Sequence, residues 1–156
     1  MNTTLPAWLD LWQRIGAQGD PLVWYQTLIS AYSEPHRCYH NLQHLDECLA
    51  SLHEAKLAHL APNADAVEVA LWFHDAVYDP KAGDNEERSA TMARQALEDA
   101  SVDPAFVDDV VRLILCTKTH ETGDHADARW MIDVDLSILG RETARFDQYE
   151  TQIRAE

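Results

Sequence analysis

The sequence predicts an all-α protein, a helical bundle of about seven or eight helices. Apolar residues recur at three- and four-residue steps along most of the chain. A cap-then-proline start signal occurs twice, at Asp20-Pro21 and Asp103-Pro104. No segment alternates with period two for long enough to make a convincing strand.

Residues 5–16 place Leu5, Trp8, Leu9, Trp12 and Ile15 on one helical stripe. Asp20-Pro21 opens a second helix to about Ser33, where Ser33-Glu34-Pro35 stops it. A third runs from about Asn41 to Leu60, carried by Leu45, Cys48, Leu49 and Leu52. Pro62-Asn63 breaks it and starts another, which continues to about Val77 through Val67, Ala70, Leu71 and Phe73. Pro80 and Gly83 make 78–84 a loop. Asp84 or Asn85 caps the next helix, which reaches about Ala100 with Glu86 and Glu87 in its first turn, where the dipole favours anions. Asp103-Pro104 starts a helix to about Thr117, and Gly123 marks a loop after it. Residues 126–139 read as helical with Gly140 as C-cap, and a last helix begins near Glu142.

With 156 residues, the chain fits a single domain spanning 1–156. The hydrophobic content of 46% is ample for one core, and 5 Gly and 6 Pro leave no room for a long disordered linker. No internal repeat occurs at solenoid periods. The net charge of −15 would repel a phosphate backbone, so nucleic acid is not an expected partner. Small anions can still enter a local cation site, because a bound metal is often the largest local charge. Cys38, Cys48 and Cys116 show no CxxC spacing, which suggests neither a zinc knuckle nor a disulfide framework. Asp10 and Arg14 interrupt the first apolar segment, unlike a signal peptide, and no run approaches the roughly 20 apolar residues that span a bilayer. The expectation is a cytoplasmic protein without a membrane partner.

Three short segments hold the residues capable of chemistry. In Tyr39-His40-Asn41-Leu42-Gln43-His44 two imidazoles lie four residues apart, on one face if the segment is helical. His74-Asp75 ends an apolar helix, where both groups are costly to bury without partners. A divalent cation would satisfy both, since imidazole nitrogen with carboxylate oxygen is the mixed set that suits Mn, Fe, Zn or Mg. Asp133-Val134-Asp135 sits in a strongly apolar stretch. Positions i and i+2 lie about 200° apart on a helix, so one of these acids points into the bundle and the other outward.

This pattern resembles the H…HD…D signature of the HD superfamily of metal-dependent phosphohydrolases. The block Tyr39 to His44 is similar to the YHNxxH motif of the cyclic-nucleotide phosphodiesterases within it. YHNLQH, WFHDAVYD, DNEERSA and DVDLSILG together resemble a group of small bacterial predicted HD phosphohydrolases, over roughly 37–154. The resemblance implies an HD-type bundle with His44, His74, Asp75 and a late aspartate as metal ligands. Asp135, five residues before Gly140, is the preferred one, with Asp133 the second choice. It further implies His40 as general acid, and hydrolysis of a small phosphoester such as a nucleotide by metal-activated water. Asp75 would orient the water as well as ligate the metal, and Glu86 or Glu87 would serve as base or support.

The implied cofactor is a divalent ion (Mn, Mg, Fe, Co or Zn), one rather than two. The further histidine that would hold a second ion has no counterpart in Ala76-Val77-Tyr78-Asp79, and His120 and His125 are the nearest substitutes. Arg37 and Lys118 are candidate substrate-phosphate contacts. Members of the group continue with further helices, which implies a pocket wall that is missing from 1–156 or supplied by another chain, as in a homo-oligomer. Two other readings stay open: a di-iron oxygenase on the same scaffold, and a module that binds metal or nucleotide without catalysis.

Overall fold

The computed structural model describes residues 2–54 and 60–156. Among them are eight α-helices and one short 3-10 turn, with no strand. The helices are α1 (Leu5–Arg14), α2 (Pro21–Tyr32), α3 (Leu42–His53), α4 (Ala64–Phe73), α5 (Asn85–Asp99), α6 (Pro104–Thr119), α7 (Ala126–Asp135) and α8 (Thr143–Ala155). The 3-10 turn, Leu136–Gly140, follows α7 directly. No helix among the described residues is long and apolar enough to cross a membrane.

The starts follow the local chemistry that predicted them. Asp20 caps α2 by accepting from the Leu22 amide, with Pro21 at the first helical position. Asp103 does the same for α6, accepting from Ala105 and Phe106. Asn41 and Asn63 cap α3 and α4 with their side chains.

Several ends differ from expectation. Helix α4 stops at Phe73, four residues short of Val77, because His74 to Val77 turn away to deliver side chains inward. Helix α3 ends at His53, and residues 55–59 of its expected extension lie outside the described residues. The stretch 126–139 is helical in two geometries, α to Asp135 and 3-10 beyond. Gly140 closes the 3-10 turn, and Arg141 takes the cap position expected of that glycine.

Helix α4 forms the centre. Every residue from Ala66 to Phe73 is buried, as a helix apolar all round requires. It packs against α1, α3, α5, α6 and α7. Trp8 and Trp72 meet edge to face at 5.1 Å, and the Trp8 Nε1–H donates to the Pro21 carbonyl at 2.8 Å. On α1 the buried stripe is Trp8, Leu11 and Trp12, whereas Leu9, expected inside, faces outward at 40% exposure. Helix α8 buries no residue fully and is held by Arg145, whose guanidinium grips Glu47 of α3 at 2.7 and 2.8 Å.

One buried charge lies far from the histidine cluster. Glu68 of α4 accepts from Arg14 of α1 at 2.8 Å and lies 3.1 Å from His53 Nε2 at the end of α3. Asp10 and Asp65 also pair with Arg14. The Glu68 bond raises the His53 pKa above its ordinary 6.5 despite partial burial. Burial opposes charge on Glu68, but His53 and Arg14 outweigh it and hold its carboxyl below the usual 4.5. His53 therefore contributes stability below about pH 6.5 and loses it as pH rises through its raised folded value, while Glu68 contributes above about pH 4.5. Replacing His53 by Gln should then cost more at pH 5.5 than at pH 9, by under about 1 kcal/mol because the pair is partly solvated. Urea unfolding at both pH values checks this, and an equal cost at the two would refute the pairing.

Candidate metal centre

Asn41 fixes the entry to α3: its side chain accepts from the Gln43 amide at 2.9 Å and donates to the Cys38 carbonyl at 2.8 Å. His44, in the first turn, is thereby turned into the bundle beside Leu45 and Cys48. His74 is the cap residue that ends α4, and Asp75 follows with its amide donating to the Tyr32 hydroxyl at 3.2 Å. Asp135 is the last residue of α7. Three helix ends thus bring four side chains together.

Five of the six separations between these donor atoms are short. His44 Nε2 lies 3.2 Å from His74 Nε2, 3.2 Å from Asp135 Oδ1 and 3.5 Å from Asp75 Oδ2. His74 Nε2 lies 3.1 Å from Asp75 Oδ2 and 3.3 Å from Asp135 Oδ1. Ligands bonded to a central ion at ~2.1 Å stand ~3.0–3.4 Å apart at the edges of an octahedron or tetrahedron. Four of the five separations fall in that range, and His44 to Asp75, at 3.5 Å, lies just beyond it. His74 Nδ1 is 2.8 Å from the Leu71 carbonyl, which can only accept, so Nδ1 carries the proton and Nε2 offers its lone pair.

Asp75 Oδ2 is the strongest indication that the residues fit a cation. It is buried and close to both imidazoles, yet it makes no hydrogen bond, because its neighbours are near without being aligned as donors. Lone pairs aimed at a common centre rather than at each other produce this pattern. Burial works against charge on both carboxyls, but His74 and His44 overcome it and keep Asp75 and Asp135 below the usual carboxylate range. Burial likewise opposes charge on the imidazoles. Cys48 and the two carboxylates raise His44 well above its ordinary value, and Asp75, Tyr32 and Asp135 do so for His74. The acids therefore favour positive charge close by, which a divalent cation would supply.

His40 stands just before the Asn41 cap, its ring 5.8 Å from that of His44, on the shared face that the four-residue spacing predicts. Glu156, which the sequence reading did not select, lies beneath it. Its Oε2 is 2.7 Å from His40 Nδ1 and accepts from the Tyr78 hydroxyl at 3.0 Å. Its Oε1 accepts from the amides of Tyr39 at 2.7 Å and His40 at 3.1 Å. Burial opposes ionisation of Glu156, but His40 and those amides bring its pKa down to about 2. A carboxylate there fixes the His40 proton on Nδ1.

A cavity of about 260 Å³ adjoins the cluster. His40, His44, Asp75 and Asp135 line it, with Glu86 from α5 and Thr117 and His120 from α6. Leu136, Ile138 and Leu139 of the 3-10 turn and Tyr149 and Ile153 of α8 complete the wall. His120 holds a left-handed backbone, φ 56°, as the cap of α6.

Other expected residues are placed elsewhere. Asp133 is exposed on the opposite side of α7, beside Ser51 and Arg141. Glu87 pairs with Lys118, whose ammonium also donates to the Gly83 carbonyl at 2.7 Å, and neither lines the cavity. Arg37 is buried and gives its N–H groups to the carbonyls of His40, Asp75 and Ala76 and to Glu34. It therefore clamps the backbone, where a phosphate contact was expected. His125 caps α7 without lining the cavity. Cys48, read as a reduced core residue, is buried as expected, with its sulfur 3.8 Å from both His44 ring nitrogens. Two close donor groups result, His44 with His74 and Asp75 and His44 with Cys48 and Asp135, and they share His44.

No protein-family model matches the chain, nor does any curated protein or solved structure.

Proposed function

We propose that the protein is a phosphohydrolase of the HD superfamily that cleaves a small phosphoester with a divalent cation held by His44, His74, Asp75 and Asp135. The observation that carries this reading is the convergence of those four donors within 3.1–3.5 Å of one another over the pairs given above, beside a cavity whose wall includes His40. A bound divalent cation would supply Lewis-acid polarisation of a phosphoryl oxygen and would acidify water enough to ionise near neutral pH. Two imidazoles with two carboxylates suit Mn, Fe, Co or Zn, and also Mg less well.

The chain's own residues supply the rest. Glu156 keeps the proton on His40 Nδ1, which leaves Nε2 to carry a second proton and hand it to the departing oxygen. Tyr78, its ring tilted against that of His40 at 4.4 Å and its hydroxyl bonded to the same carboxylate, limits the imidazole's rotation. Glu86 faces the cavity and can accept the proton of an attacking water. Leu136, Ile138, Leu139 and Ile153 give the cavity an apolar side for the organic part of a substrate.

An oxygenase with two irons would require more imidazole donors. Among the described residues the close donor groups contain no histidine beyond His44 and His74.

Elemental analysis of the purified protein, followed by a phosphoester panel with Mn, Mg, Co and Zn, tests the proposal. Substoichiometric metal together with no turnover under any cation would overturn it. His40→Ala should keep the metal and lose ~10²–10⁴-fold in kcat, as expected for removal of a general acid. Glu156→Gln should keep both metal and fold while lowering kcat and shifting the pH profile. A His40→Ala variant that also lost metal would refute the assigned role.

A further inference from the structure

The cavity's charge is set by an unusual shortage of cations. No lysine or arginine lines it among the described residues. Three basic side chains on segments that contribute to the wall are engaged elsewhere: Arg37 on backbone carbonyls, Lys118 on Gly83 and Glu87, and Arg145 on Glu47. The charge of a bound divalent ion would be matched by Asp75 and Asp135, and Glu86 adds a further carboxylate to the wall. One phosphate can still be met by direct contact with the ion and by His40. A second anionic group would meet no lysine or arginine, only the side chains of Thr117, His120 and the two tyrosines, and would face Glu86 in a site of reduced dielectric, where like charges repel strongly.

Beyond the polar side chains of Thr117 and His120, much of the remaining wall is apolar or aromatic. Leu136, Ile138 and Leu139 of the 3-10 turn face the cavity together with Tyr149 and Ile153 of α8. Leu139 is 59% exposed, high for a large aliphatic side chain, and a bound apolar group would cover it. At about 260 Å³ the cavity lies just below the ~300–1,000 Å³ common for small-molecule sites, which suits a compact ligand.

Building on the phosphohydrolase reading, we infer that this cavity takes the monophosphate ester of an apolar or aromatic alcohol and rejects ligands carrying a second anionic group. Nucleoside di- and triphosphates fall outside that class. The phosphoryl group sits toward His40 and the four-donor cluster, and the ester's organic part lies on the leucine–isoleucine wall. Specificity then comes from burial of the organic part and from the lack of a lysine or arginine to meet a second anion beside Glu86.

Calorimetry on the manganese-loaded full chain tests this without relying on turnover. Three non-hydrolysable probes suffice: phenylphosphonate, methylphosphonate and 4-carboxyphenylphosphonate. Phenylphosphonate should bind at least ~10-fold tighter than methylphosphonate, because the ring adds apolar burial. The added carboxylate should weaken binding at least ~10-fold, and Leu139→Arg should restore most of that loss. Equal binding of the phenyl and methyl probes, tight binding of the carboxylate probe, or no binding of phenylphosphonate would each overturn the inference. Phenyl phosphate hydrolysis is then assayed separately. The expected probe order without hydrolysis would sink the hydrolase reading and leave the ligand class standing, whereas hydrolysis without the probe order would do the reverse.

Discussion

His74→Ala is expected to lower affinity for a divalent ion by roughly 10²-fold or more, since removing even an indirect supporting partner of a metal ligand commonly costs 10–100-fold. Phosphoester turnover should fall at least as far. His74 is tightly held among the four proposed ligands: the Leu71 carbonyl fixes its tautomer, and both acidic partners lie within 3.3 Å of its Nε2. Asp135→Asn should also reduce metal uptake, because an amide oxygen keeps the position and loses the charge. Asp133→Asn should leave uptake unchanged, since that carboxylate is exposed on the other side of α7. Metal content by elemental analysis, with thermal unfolding to show that each variant folds, decides the matter. If Asp133→Asn lost the metal and Asp135→Asn kept it, the ligand assignment would be reversed.

The sequence made the helices legible because their signals are local. Asp20, Asn41, Asn63 and Asp103 each cap a helix within three residues of where they stand. The buried run of α4 was legible for the same reason, and so were the positions of His44 and His74-Asp75 at the ends of apolar segments. The choice between Asp133 and Asp135 was not. An i, i+2 pair shows that one side chain points inward, but which one depends on how α7 rotates against α4 and α3. Leu9 failed similarly: Leu5, Trp8, Leu9, Trp12 and Leu11 support two overlapping stripes, and the packing of Trp8 on Trp72 selects the one containing Leu11. Long-range partners gave no local signal at all. Glu156 meets His40 across 116 residues, and Arg37 meets the Asp75 carbonyl across 38. An arginine beside a histidine motif reads as a phosphate contact until its bonding partners are known.

Arg37 offers the second large effect, and it separates the two roles. Its guanidinium donates to the carbonyl of Asp75 at 2.6 Å, to those of His40 and Ala76 at 3.1 Å, and to Glu34 at 3.0 Å, with its carbon over the Tyr32 and Tyr78 rings at 5.4 and 5.5 Å. It thus ties the turn that carries His40 to the turn that carries Asp75, two segments with no continuous helix between them. Arg37→Ala would leave three carbonyls short of a donor in a buried place, and the expected loss is about 3 kcal/mol of folding stability. Arg37→Lys should recover only part of it, since a compact ammonium cannot span the planar fork that reaches all three carbonyls. Urea unfolding of both variants beside an exposed control, Lys81→Ala, measures this directly. A phosphate-binding arginine would raise KM and leave stability and metal content near those of the control. A backbone clamp would lower stability and metal affinity together, because His40 and Asp75 would no longer be held in register. Arg37→Ala matching Lys81→Ala in stability would rule out the clamp.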